Sequence, residues 1–182
     1  TYTVANQKSG LAVDIPGNTP VHGVGLQQGD FNGGPAQRWT FNDLGHNVWT
    51  VTNSGNGLAW DDAGWGTNAG TPLIQWDYNG LPVQQFKLRP VGNGGWKFIS
   101  VNANLPVSVT NASLAAGAQL IFWTNSTATE QNWFVSQPDF VPDAFYTLSG
   151  NALDSSGNGN HGTPGATATN FVPGRLGMQA LQ

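Results

Sequence analysis

The chain repeats itself every 47 residues, and that period constrains its fold more than any other feature. Gln37, Arg38 and Trp39, then Gln84, Gln85 and Phe86, then Gln131, Asn132 and Trp133 share a Gln-x-aromatic pattern, each 47 residues after the last. The same shift aligns Tyr2 with Trp49 and Trp96, Leu11 with Leu58 and Leu105, and Leu26 with Leu73 and Leu120. Phe41, Leu88 and Val135 close the units. One unit cannot bury its apolar face alone, but three together can share a core.

Within a unit the apolar residues alternate. Leu11, Val13 and Ile15 would face one side of a strand, and Ala12 and Asp14 the other. Turn signals such as Ser9 and Gly10, Pro16 to Asn18, and Asn32 to Gly34 separate strands of about four to six residues. Composition agrees. The 25 Gly and 11 Pro favour turns, and the helix formers Lys, Glu, Met and Arg are scarce in a chain with only 9% charged residues. The expected class is all-β.

Three in-phase Gln-x-aromatic units, with Leu11 to Ile15 and the run Leu73 to Gly80, resemble the ricin-B-type β-trefoil over about residues 2 to 136. The resemblance implies a six-stranded barrel capped by three hairpins with pseudo-threefold symmetry. It also implies sugar binding, in the manner of the family 13 carbohydrate-binding modules that accompany glycoside hydrolases and lyases. Gln37, Gln84 and Gln131 are then expected to satisfy backbone groups, and Trp39, Phe86 and Trp133 to fill the core. Trp49, Trp60 and Trp96 are expected in the core as well.

Sugar recognition needs an aromatic face for the C–H face of a pyranose and a carboxylate or amide for its hydroxyls. The resemblance places the carboxylate on the Asp14 strand and the aromatic residue fifteen positions later. Only the middle repeat keeps both, as Asp61 and Trp76. Trp65 is a candidate second wall, and Asp77 and Asn79 are candidate polar contacts. Val83 stands where the family often has Asn, and Asp62 replaces the apolar residue seen as Ile15 and Val109. The first repeat keeps Asp14 but has Gly29 in place of the aromatic, with His22 or Phe31 as substitutes. The third has Trp123, but Ser108 replaces the Asp and Glu130 takes the Asn position.

The net charge of −4 and six scattered basic residues argue against nucleic acid or an anionic membrane as partner. Cys is absent, so disulfides and thiol chemistry are excluded. His22, His46 and His161 are too scattered to suggest a metal site, and no cofactor is expected. No pair of carboxylates suggests glycoside hydrolysis, so no catalysis is expected. Thr1 opens directly on strand-like sequence, so no leader is expected at this end, and the composition suits a secreted polysaccharide-binding protein.

The β-trefoil is expected over residues 1–137 and a proline-containing linker over 138–143. Residues 144–182, opening with Ala144 to Gly162 and continuing through Val172 to Gly177, resemble the start of a laminin-G-like (concanavalin A-like) jelly roll. The chain is thus expected to be a carbohydrate-binding module of a larger modular protein, attached there to an enzyme. Self-association through residues 144–182 is a further expectation. The alternative is a trefoil that has lost sugar binding and serves as an interaction or spacer domain.

Overall fold

The computed structural model describes residues 1–137; the expected linker and laminin-G-like segment lie outside the described residues. Described residues form twelve strands and six short 3-10 turns. In chain order the strands are β1 (Thr3–Asn6), β2 (Ala12–Asp14), β3 (Gln27–Gly29), β4 (Trp39–Asp43), β5 (Val48–Asn53) and β6 (Ala59–Asp62). They continue as β7 (Leu73–Trp76), β8 (Phe86–Val91), β9 (Gly95–Ser100), β10 (Val107–Val109), β11 (Leu120–Phe122) and β12 (Trp133–Ser136).

Six strands pair in the order β1, β12, β9, β8, β5, β4. The ring closes where Tyr2 and Trp39 exchange backbone hydrogen bonds of 2.7 and 2.8 Å. Three hairpins, β2–β3, β6–β7 and β10–β11, cap this barrel, which is a β-trefoil. Their registers superimpose under the repeat: Asp14 faces Gln27, Asp61 faces Ile74, and Ser108 faces Ile121. The hairpins also join one another in a cycle. Gly23 N–H donates to Gln75 O, Gly70 N–H to Phe122 O, and Gly117 N–H to Gln28 O, each at 2.8 Å.

The core follows the same threefold rule. Val4, Val51 and Phe98 form one set, Leu26, Leu73 and Leu120 another, and Trp39, Phe86 and Trp133 a third, nearly all without exposed surface. Trp60 takes the place of the smaller Val13 and Val107 and packs against Trp39, Phe86 and Phe98 at centroid distances of 5.2–5.8 Å. Burial covers both faces of β2, since Ala12 and Asp14 are buried along with Val13.

Each Gln of the repeat holds one loop by two bonds. Gln37 donates to Asp30 O and accepts from Asn32 N–H; Gln84 does so with Asp77 and Asn79, and Gln131 with Thr124 and Ser126. The expectation for Trp96 is corrected, and that for Trp49 holds in part. Trp96 is exposed and Trp49 only half-buried. Trp96 shares an inward parity with Phe98 but lies two residues further out, at the rim, whereas Trp49 at the matching place before Val51 still packs against the core.

Candidate functional site

The middle hairpin assembles the expected pair. Asp61 faces Ile74 across β6 and β7, while Trp76 faces Ala59. Residues directly opposite share a face, so Asp61 and Trp76 are diagonal neighbours on one face of the hairpin. Trp76 ends its strand and keeps 42% of its surface exposed, whereas Asp61 retains 7%. The indole lies over Gly23 of the first repeat, where an added Cβ would sit 3.4 Å from its Cζ3.

Trp65 closes a 3-10 turn, Ala63–Trp65, with φ of 60° and 57% exposure. The turn demands this left-handed backbone in every repeat, and Asn18 and Ala112 adopt it at the equivalent positions. Asn adopts it readily, but a bulky aromatic does so only at a cost of about 1–3 kcal/mol.

Burial sets the electrostatics. Desolvation raises the Asp61 pKa above the ordinary carboxylate value, opposed by the hydrogen bond from Gln84 Nε2 to Asp61 Oδ2 at 2.8 Å. Asp62 is fully buried and is pushed up to about 7, chiefly by desolvation. Ser100 Oγ and Asn102 Nδ2 donate to its Oδ2 at 2.6 and 3.2 Å and oppose that rise, while the Asp61 charge adds to it. Asp62 Oδ1 has no partner.

The other candidates divide. Asn79 spends its side-chain oxygen on Leu81 N–H at 2.9 Å, as Asn32 does on Gly34 and Ser126 on Ala128, so that oxygen serves the loop. The exposed Asp77 carboxylate faces His22 Nε2 at 3.2 Å, and the His22 ring lies 5.3 Å from that of Trp76. The sequence suggested His22 as a substitute platform for the first repeat; the structure puts it beside the middle one.

The first and third repeats hold concavities at the equivalent place. Asp14, Asn18, Asn32 and Ala36 line one of about 260 Å³, and Ser108, Asn111, Trp123 and Glu130 line one of about 210 Å³. Asp14 Oδ2 accepts from Gln27 Nε2 at 2.8 Å and lies over Gly29, where the aromatic residue is missing. Trp123 is 48% exposed, with Glu130 in the same concavity and Lys8 Nζ 3.8 Å from the Glu130 carboxylate. Beneath that loop the buried Lys97 ammonium donates to Asn125 Oδ1, Ser126 O and Gln131 Oε1. Burial lowers its pKa; the Arg89 charge adds to the shift and Glu130 opposes it.

A six-stranded barrel capped by three hairpins, one of which sets an exposed indole diagonal to a carboxylate, defines a β-trefoil of lectin type. The chain belongs to the ricin-type β-trefoil lectin domain-like family, whose model matches residues 1–76 and 82–170. No curated protein matches it. The designed threefold-symmetric protein ThreeFoil is similar, with 29% identity and a TM-score of 0.74 over 75% of this chain and 97% of that one. An exo-beta-1,3-galactanase from Clostridium thermocellum is 26% identical, with a TM-score of 0.72 over 74% of this chain but only 29% of the enzyme. The Macrolepiota procera ricin B-like lectin, solved with lactose, is 18% identical, with a TM-score of 0.66 over 76% and 96% of the two chains; at that identity the likeness concerns fold alone.

Proposed function

We propose that the chain is a non-catalytic carbohydrate-binding module whose principal site is on the middle hairpin. The observation that carries this reading is the exposed Trp76 indole on the same face as, and diagonal to, the Asp61 carboxylate. A pyranose stacks its C–H face on Trp76 and shares hydroxyl protons with Asp61, while Trp65 bounds the site. Asp77 lies at its rim, with Asn79 on the adjoining loop. Trp123 and Asp14 mark incomplete copies in the other repeats, each lacking one member of the pair.

The likeness to the exo-beta-1,3-galactanase makes galactose-configured glycans the first probes. A glycan array selects the ligand, and calorimetry follows with two variants. Trp76→Ala abolishes most binding without unfolding the chain. Asp61→Ala weakens it by roughly 1.5–3 kcal/mol, the scale of hydrogen bonds to a charged group. Unchanged affinity in both variants, or a blank array, removes the reading in favour of a spacer domain.

The proposal extends to the setting: a family 13 type module, secreted, in a larger protein that also holds an enzyme and a laminin-G-like domain. Sedimentation of the chain with and without residues 139–182 tests self-association through that segment.

A further inference from the structure

Residues on both edges of β7 converge on Trp76. One edge pairs with β6, which carries Asp61. The other pairs with the first repeat through an antiparallel bridge between Gly25 and Ile74. Following that pairing outward, Gly23 comes opposite Trp76 and His22 opposite Asp77. The contacts agree: Gly23 underlies the indole, and His22 Nε2 lies 3.2 Å from Asp77 Oδ2.

The segment bearing His22 is locked in place. Gln75, fully buried, donates to Thr19 O at 2.6 Å and to Val21 O at 2.9 Å, while Asn56 Nδ2 donates to Gln75 Oε1 at 3.1 Å. Gln28 holds Ser113 O and Ala115 O in the same way, so the lock recurs at a second junction, while Phe122 stands at the third. The pairing of His22 with Asp77 does not recur. At the equivalent positions the third hairpin's Thr124 has Ala69 as its counterpart, and the first hairpin's Asp30 has Ala116. Two of the three junctions are built without an imidazole. The one that has it is the junction beside the intact carboxylate and indole pair.

We propose that His22 and Asp77 form a second subsite, so that the middle site binds two linked sugar residues across the boundary between the first and second repeats. One ring stacks on Trp76 toward Asp61. The next lies over the His22 edge, with its hydroxyls meeting the imidazole and the Asp77 carboxylate. Both side chains are about half or more exposed and are open to a ligand. The ligand class is therefore an oligosaccharide or polymer of neutral sugars. This rests on the proposed sugar reading of the Trp76 site.

The test compares monosaccharide with disaccharide in matched pairs: galactose with β-1,3-galactobiose, xylose with xylobiose, and glucose with cellobiose. Calorimetry on the full chain is expected to show at least one pair in which the second ring strengthens binding. His22→Ala, which installs the residue found at 69 and 116, is expected to cut that gain by about fivefold, the worth of one hydrogen bond. A gain fully retained in His22→Ala, while Trp76→Ala abolishes binding, overturns the second subsite and leaves the first standing. No gain in any wild-type pair overturns it equally. Wild-type binding in Trp76→Ala removes the site reading and this inference together.

Discussion

Gln84 donates one side-chain N–H group to the Asp61 carboxylate at 2.8 Å and another to the Asp77 carbonyl at 2.7 Å. A single amide thus ties the acceptor strand to the loop that follows Trp76. Gln84→Ala leaves a buried carboxylate, the Asp77 carbonyl and Asn79 N–H without that partner, and is expected to cost about 3 kcal/mol of stability. It should also weaken sugar binding. Gln37→Ala makes the matching cut in the first repeat and should destabilise by about 2 kcal/mol with sugar affinity held. Urea melts and calorimetry on the two variants separate the structural share from the binding share.

Asp62 makes stability depend on pH. Its folded pKa of about 7 lies above the ordinary carboxylate value, so the folded state holds a proton that the unfolded chain gives up first. The stabilisation is complete below about pH 4 and is lost as pH rises toward 7, by an amount on the order of 4 kcal/mol. The raised pKa of Asp61 acts in the same direction. Asp62→Asn keeps an acceptor for Ser100 and Asn102 without the charge, and is expected to remove most of the slope. Denaturant midpoints at about pH 4, 6 and 8 for both chains check this.

Trp65 holds a left-handed backbone for which its side chain is poorly suited. Trp65→Asn installs the residue that the first repeat uses at position 18. It is expected to raise stability by about 1 kcal/mol while lowering affinity for the middle-site ligand. Thermal melts paired with titrations decide it; equal affinity in the two chains would mean that Trp65 is not a wall of the site.

The period showed that three units share one core, and the resemblance to the ricin-B-type trefoil implied the barrel into which they close. The roles of Gln37, Gln84 and Gln131 were legible for the same reason. The approach of His22 to Trp76 was not, since it depends on pairing between hairpins of different repeats, which leaves no local pattern. Asp62 was seen to break the apolar pattern, but its burial depends on Ser100 and Asn102 from the next repeat. The rim exposure of Trp96 and the concavities beside Asp14 and Trp123 depend on what neighbours fail to fill.

Pairing of β1 with β12, Thr3 opposite Ser136, joins the first and last strands of the barrel. During synthesis β1 therefore waits with one bare edge until the third repeat has left the ribosome, and that edge can recruit another chain. Closure over so long an interval adds little entropy cost beyond that of a shorter loop, but it comes late in folding. Once made, it leaves the barrel no outermost strand from which unzipping can start.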